Sequence, residues 1–308
     1  MDKARQLVIK EVIEKVIKGL DYRIVTQTEI NNLFLNYCIN FFKKVVETKI
    51  DGGVITKEWY KTHFVMNNNY NPKERAIYAG INDKTIKNMF NSGKKEIVIS
   101  ASEDNYDKLV SAISNLIDET DELDLKLSIT FKSISVELNL DESLIFITSL
   151  AVKRAAITGG AYSRIGKNVE GPLMLTLCKL FNVSDENYKL KIEGGGLASS
   201  GDFSREIDFY LIKDDIISKC EVKLMGKGNP EVADAVIARE SNVFVADKLS
   251  ETNMKQLDSL KVHWTHLRSE KGYLRFGKTL EALNINFKEP DDSKLDSLLS
   301  EIFEGIFK

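Results

Sequence analysis

Two acidic residues and one lysine near residue 210 have the types and spacing of a divalent metal site. Residues 204–225 contain two β-rich runs around Asp214-Asp215, which predict a hairpin with a tight turn. Counting outward from that turn pairs 213 with 216 and 212 with 217, and places Asp208 opposite Glu221. Directly opposed residues of an antiparallel pair have Cβ atoms about 5 Å apart.

Side chains alternate along a strand, so Asp208, Glu221 and Lys223 are expected on one face. Two opposed carboxylates repel each other unless a cation lies between them, and Mg²⁺ binds one or two carboxylates together with water and substrate phosphate. A metal polarises a phosphoryl oxygen and acidifies water, while a lysine stabilises the growing negative charge. The pattern therefore indicates phosphodiester hydrolysis. The alternative is an exposed strand face with a salt bridge.

The expected common face contains Asp208, Tyr210 and Ile212 from the first strand, and Ile217, Lys219, Glu221 and Lys223 from the second.

Glu170 is a third candidate acid. It precedes Gly171-Pro172, which predict the start of a helix over 171–182, and it lies four residues before Met174 in the inward stripe. An unpaired carboxylate on that side is costly, which suggests a metal contact or an orienting role. Capping of the helix N-terminus explains it equally well.

The Ile207-Asp208 … Glu221-Val222-Lys223 arrangement, with Glu170 upstream and a helix-strand pair downstream, resembles the PD-(D/E)XK nuclease superfamily. The strings GGAYSRIGKNVEGPLMLTLC (159–178) and KLMGKGNPEVADAVIARE (223–240) resemble type II restriction endonucleases related to CfrBI. This resemblance covers about residues 150–250. It implies that Asp208 and Glu221 bind Mg²⁺, that Lys223 is the catalytic lysine and that Glu170 is the acid on the helix, which we include as a candidate Mg²⁺ ligand. Ile207 stands where the superfamily often has proline, a common replacement.

Two segments beside these residues predict loops that contact DNA. Residues 159–167 offer flexible backbone, hydroxyls and cations for phosphate, and residues 225–231 offer groups that pair with base edges. Both segments are alternatively plain turns. The predicted contacts are Tyr162, Ser163, Arg164 and Lys167 in the first loop, and Lys227, Asn229 and Glu231 in the second.

Residues 71–90 have the pattern of a helix-turn-helix. Gly80 suits the tight turn between the two helices. The small or apolar residues expected to pack one helix against the other are Ala76, Ile81, Ile86 and Met89. The second helix would expose Lys84, Thr85, Lys87 and Asn88, with Lys94 and Lys95 following, which suits a DNA major groove. A helical hairpin used only for packing is the alternative.

The elements around these motifs predict a mixed α/β protein. Apolar periodicity predicts helices over 3–19 and 28–48, and strands followed by a bridging helix over 120–158. Beyond the 171–182 helix, the order is strand 205–212, strand 216–224, helix 231–240, strand 242–246, helix 250–260 and strand 261–267. We therefore expect a mainly helical region over 1–150 and a mixed α/β domain over 151–308, which the resemblance implies is a PD-(D/E)XK catalytic domain with a restriction-endonuclease-like core.

Composition narrows the functional class. The 308 residues carry a net charge of -3, so phosphate contacts are expected to be local. No charge-free apolar run near 20 residues, signal peptide or CxxC spacing is evident, and the HxxH at His263 and His266 is expected to be structural. These features predict a soluble intracellular protein, and the resemblance implies the cytoplasm of a prokaryotic cell.

The resemblance implies Mg²⁺-dependent cleavage of double-stranded DNA at a short palindromic site, leaving 5′-phosphate and 3′-hydroxyl ends without a nucleotide cofactor. One site per chain must cut two antiparallel strands, which predicts a homodimer. The alternatives are a repair or junction-resolving nuclease of the same superfamily, and a helix-turn-helix regulator without catalysis.

Overall fold

A computed structural model describes residues 3–50, 55–119, 125–190, 209–224, 236–237 and 240–307. The chain forms two compact units, which we call the helical unit (Thr28–Ala161) and the sheet unit (Met1–Gln27 with Tyr162–Lys308). The first 27 residues thus group with the C-terminal part, whereas the sequence placed them in the region 1–150. The functional assignment of the two regions stays a prediction.

The first helices follow the apolar periodicity of the sequence. The helix α1 spans Lys3–Ile17 and α2 spans Arg23–Ile50, close to the predicted 3–19 and 28–48. Four helices of unequal length follow: α3 (Lys57–Tyr60, continued by a π-helical turn Lys61–Val65), α4 (Pro72–Tyr78), α5 (Asp83–Phe90) and α6 (Lys95–Glu119).

The rest of the helical unit contains an antiparallel hairpin, β1 (Leu127–Phe131) and β2 (Ile134–Leu138), and the first part of α7 (Leu140–Leu180). This order confirms the strands and bridging helix predicted over 120–158. The core of the helical unit is rich in aromatic rings, which include Phe41, Tyr60, Phe64, Tyr78, Tyr106 and Phe146.

The helix α7 is continuous for 41 residues and contains Pro172 in its interior. The predicted loop over 159–167 and the predicted helix start at Gly171-Pro172 are therefore wrong. Interior glycine and proline cost about 1 and 3 kcal/mol, but burial of an apolar stripe on both sides of Pro172 offsets that cost. The stripe includes Val169, Leu173 and Leu177, all fully buried.

By length and composition alone, α7 is apolar enough to cross a membrane, with an 18-residue window of mean hydropathy 1.3. Core helices pass the same test. Phe146 of α7 lies in the core of the helical unit and Leu173 in the core of the sheet unit, so this one helix is weak evidence for a membrane span.

The sheet unit contains a five-stranded mixed sheet in the order β3 (Tyr188–Lys189), β4 (Phe209–Lys213), β5 (Ile216–Lys223), β6 (Val243–Ala246) and β7 (His263–His266). The first two pairings are antiparallel and the last two are parallel.

The register of the β4–β5 hairpin confirms the prediction. Ile212 pairs with Ile217 and Lys213 with Ile216, and the ladder extends to Phe209 opposite Cys220. The turn residue Asp214 adopts φ 52°, which aspartate tolerates better than most residues. Residues 205–208 of the predicted strand lie outside the described residues, as does most of the predicted helix 231–240.

Helices cover both faces of the sheet. Phe209, Cys220, Val222, Val243 and Val245 pack in one core with residues of α1, α7, α9 (Arg275–Ala282) and α10 (Leu295–Ile306). On the opposite face, Phe244 and Ala246 pack with residues of α8 (Glu251–Ser259) and its surroundings, namely Val236, Leu249, Leu257 and Val262. The predicted mixed α/β class is confirmed.

Candidate active site

Glu221 and Lys223 form a close ion pair at the end of β5. The Glu221 side chain is 0% exposed, the Lys223 side chain is 32% exposed, and Lys223 Nζ lies 2.6 Å from Glu221 Oε1. Glu221 pairs with Phe244 and Lys223 with Ala246 of the neighbouring parallel strand, so the carboxylate lies beside apolar residues. A buried carboxylate is strongly destabilising unless a charge compensates it, and here the ammonium does so.

The alternation expected for this hairpin is confirmed over its described residues. Phe209, Leu211, Cys220 and Val222 point into the core, while the other face carries Tyr210, Ile212, Ile217, Lys219, Glu221 and Lys223.

Glu170 reaches the same ammonium from α7. Its side chain is 13% exposed, and Glu170 Oε1 lies 3.7 Å from Lys223 Nζ. Because α7 begins at Leu140, Glu170 lies inside the helix and the capping explanation is wrong. Lys223 therefore lies near two carboxylates from separate elements, one on α7 and one on β5. Together they concentrate negative charge around its ammonium.

Asp208 lies outside the described residues, and so do Lys227, Asn229 and Glu231. Within the part of the chain that the structure describes, no group of three or more His, Cys, Asp and Glu is arranged as a metal site. Glu170 and Glu221 are the two predicted metal ligands that this part contains. Their carboxylate oxygens are hard ligands of the kind that Mg²⁺ prefers.

A second charged cluster, which the sequence did not indicate, lies at the ends of the neighbouring parallel strands. Asp247 follows β6, is fully buried, and donates its backbone N–H to Lys223 O at 3.2 Å. Arg268, just beyond β7, places its guanidinium 3.7 Å from Asp247 Oδ2 and 3.3 Å from Asp21 Oδ2. An acid directly after the apolar run VFVA was the available signal, because polar groups collect at the carboxyl ends of parallel strands.

The charges of this cluster are mutually compensated. A hydrogen bond from Arg23 holds the pKa of Asp21 well below its usual range, and Arg268 adds to the effect. Burial lowers the pKa of His266 at the end of β7, and the nearby cations Lys248 and Arg268 lower it further. Asp21 and Arg268 thus connect the start of α2 to the strand ends beside Lys223.

The DNA contacts predicted over 159–167 lie on α7 rather than on a loop. Tyr162, Ser163, Arg164 and Lys167 are all exposed. Helical spacing places Ser163, Lys167 and Glu170 along one face, at positions i, i+4 and i+7. The hydroxyl of Ser163 and the ammonium of Lys167 therefore lie on the same face of α7 as Glu170, the acid beside Lys223.

The predicted helix-turn-helix has the expected backbone. Asn71 caps α4 in a capping box with Glu74, Pro72 occupies the first turn, and Gly80 takes φ 76° between the helices. Lys84, Thr85 and Asn88 of α5 are exposed, whereas Lys87 Nζ lies 2.9 Å from Asp83 Oδ2.

One residue of that prediction is placed wrongly. Met89 is 67% exposed and does not join the helices. Ala76 and Ile86 pack instead against Val98 and Ala101 of α6, because the third helix supplies the apolar surface.

These features describe an α/β protein with a charged site at the ends of parallel strands and, in its helical unit, two short helices joined by a turn at Gly80. A family model described as CfrBI restriction endonuclease matches residues 6–254. The chain belongs to this family and is a restriction endonuclease, a site-specific deoxyribonuclease of the type II kind. The match confirms the resemblance seen over 150–250 and extends it through the helical unit. Comparisons with curated proteins and with solved structures found no match.

Proposed function

We propose that this chain cuts both strands of DNA at a short palindromic site in a Mg²⁺-dependent reaction, leaving 5′-phosphate and 3′-hydroxyl ends. The main supporting observation is the ion pair at the end of β5. The Glu221 side chain is fully buried, and Lys223 Nζ lies 2.6 Å from Glu221 Oε1 and 3.7 Å from Glu170 Oε1. Membership of the restriction endonuclease family supplies the substrate class. A PD-(D/E)XK core is the fold that we propose for the sheet unit.

Glu221 and Glu170 are the described residues that would hold the metal. Asp208, which the sequence pairs with Glu221 across the hairpin, would complete the ligand set. Bound Mg²⁺ supplies Lewis acidity toward a phosphoryl oxygen and toward water.

Lys223 has two roles in this proposal. Without metal it balances the carboxylates, and its 32% exposed side chain can turn toward a scissile phosphate. There its ammonium would orient the attacking water and stabilise the charge that builds on the phosphoryl oxygens.

DNA would be held by separate groups. The exposed face of α7 with Ser163, Arg164 and Lys167 is suited to phosphate, and α5 with Lys84, Thr85, Lys87 and Asn88 is suited to a groove. Base contacts are proposed for Lys227, Asn229 and Glu231, with Tyr162 as a further contact. A homodimer would supply the second active site that cutting both strands requires. The proposed reaction needs no nucleotide cofactor. We expect the protein to act in the cytoplasm.

Digestion of two unrelated plasmids tests the proposal, with Mg²⁺, Ca²⁺ or EDTA and with the variants Glu221→Gln and Lys223→Met. The matched control is Glu281→Gln, which changes an exposed glutamate of α9. We expect Mg²⁺-dependent fragments whose sequenced ends share one palindrome, retained in the control and lost in both active-site variants. Intact plasmids with full cleavage of branched DNA would instead favour a junction-resolving enzyme, and Ca²⁺-dependent DNA binding without any cleavage would favour a regulator.

A further inference from the structure

A pocket of about 480 Å³ lies within the helical unit between α2, α4 and α7. This volume lies in the range of about 300–1,000 Å³ typical of small-molecule sites. Its described lining combines aromatic, cationic and acidic side chains, namely Tyr37, Asn40, Phe41, Lys43, Lys44, Glu47, Glu74, Tyr78 and Lys153. We call it the lysine–tyrosine pocket.

Aromatic rings give the pocket a flat apolar wall. Phe41 and Tyr78 are almost fully buried, with ring centroids 5.7 Å apart in a stacked arrangement. Tyr37 stacks on Phe41 at 5.9 Å with an interplanar angle of 8°. These rings are held in place by contacts with one another, so a planar group of a ligand would pack beside them without having to order them.

Two of the lysines are held by rings rather than by carboxylates. Lys153 Nζ lies 4.4 Å from the Tyr37 ring centroid, and Lys43 Nζ lies 5.4 Å from that of Phe131. Among the described residues, neither amine has a carboxylate within salt-bridge distance, in contrast to Lys57 and Lys61 of the same unit. The Lys153 side chain is half-buried, and this burial lowers the pKa of its ammonium while the charge of Glu74 opposes the shift. An anion would recover that lost solvation.

The acidic residues of the lining restrict the ligand further. Glu47 and Glu74 oppose a simple polyanion and favour a molecule that also carries N–H donors. A phosphate joined to a planar base with an exocyclic amino group satisfies the lysines, the aromatic wall and the acids together.

We infer that the lysine–tyrosine pocket binds a single nucleotide unit, with its phosphate on Lys153 and Lys43 and an amino-bearing base against the aromatic wall. The nucleotide comes either from a DNA strand or from free mononucleotide. The DNA source rests on the proposed function, whereas the binding site does not.

Calorimetric titration of the full chain in EDTA tests the site, because metal-dependent binding elsewhere is then absent. The probes are dAMP, dCMP, dGMP, dTMP and inorganic phosphate, and the variants are Lys153→Met, Lys43→Met and Lys153→Arg. Lys278→Met of α9, an exposed lysine in the sheet unit, is the matched control. We expect the three amino-bearing nucleotides to bind more tightly than dTMP and phosphate. Binding should weaken at least tenfold in both methionine variants and be largely retained in Lys153→Arg and in the control.

The second arm distinguishes the two sources. A duplex with 2-aminopurine, bound in Ca²⁺, gains fluorescence if a base leaves the stack and enters the pocket, and this gain should disappear in Lys43→Met. Tight mononucleotide binding without any gain assigns the pocket to a free nucleotide. Equal affinity of wild type and Lys43→Met for every probe overturns the inference, even if Lys153→Met fails to fold, because Lys43 is exposed.

Discussion

Replacement of Lys223 by methionine is expected to destabilise the fold, whereas replacement of Glu221 by glutamine is not, although both changes should abolish cleavage. Glu221 is 0% exposed and the ammonium lies 2.6 Å away, so Lys223→Met leaves a buried carboxylate without that cation. Removal of one partner from a buried pair costs about 3–5 kcal/mol. Lys223 is 32% exposed and partly screened, so we expect about 2–3 kcal/mol.

The reverse change has a smaller effect because the remaining partner can reach water. In Glu221→Gln the Lys223 ammonium keeps its solvent exposure and its contact with Glu170 at 3.7 Å. The free energy of unfolding should then stay within about 1 kcal/mol of wild type, the range typical of changes without a buried unpaired charge.

Divalent cations separate the two variants further. A ligand present at 100 times its Kd stabilises a protein by about 2.7 kcal/mol. Lys223→Met retains both carboxylates, so Ca²⁺ should stabilise it at least as much as wild type by replacing the missing positive charge. Glu221→Gln lacks one proposed ligand and should gain much less.

Urea unfolding followed by circular dichroism, with and without Ca²⁺, measures these differences, with Lys278→Met and Glu281→Gln as controls. If Lys223→Met is as stable as wild type without Ca²⁺, the ion pair does not stabilise the fold. If Ca²⁺ stabilises Glu221→Gln as strongly as wild type, Glu221 is not a metal ligand.

Four further substitutions test features other than the Glu221–Lys223 ion pair. Gly166→Ala should stabilise α7 by about 0.5–1 kcal/mol, because no atom lies within 4 Å of an added Cβ. Gly80→Ala should destabilise the protein by more than that, because Gly80 has φ 76°. Equal effects of the two substitutions on urea unfolding would contradict this prediction. Because Arg23 holds the pKa of Asp21 below the unfolded value of about 3.9, this carboxylate stabilises the fold above that pH, and the contribution is lost as pH falls through the lowered folded pKa. In Asp21→Asn, the free energy of unfolding should therefore fall less steeply than in wild type as the pH is lowered through the acid range. An unchanged slope would show that the Asp21 carboxylate does not contribute to this pH dependence. Asn71→Ala removes the cap of α4 and should cost about 1 kcal/mol, and no loss of thermal stability would argue against the capping box.

The hairpin with Glu221 and Lys223 was predictable because its signals are local. The turn at Asp214-Asp215 fixes the register, and alternation then assigns every side chain to a face. The start of α4 has a similarly local cause, because Asn71 and Glu74 form a capping box and Pro72 occupies the first turn.

The course of α7 was not predictable in the same way. Gly159, Gly166 and Pro172 all locally favour a loop or a helix end, but the burial of Val169 and Leu173 decides the outcome through tertiary contacts. The cluster of Asp247 and Arg268 was missed for a similar reason. These residues meet only because β6 and β7 are parallel neighbours, and no short motif records that pairing.

The sheet unit is assembled from two separate stretches of chain, and this imposes an order on its biosynthesis. Ile13 and Val16 of α1 are translated long before Phe276 and Phe303, yet all four residues lie in one core. The helical unit is one uninterrupted stretch and can form while α1 still waits for its partners. A nascent nuclease would thus remain without a finished cleavage centre until α10 has been synthesised, which delays the appearance of activity relative to the appearance of the chain.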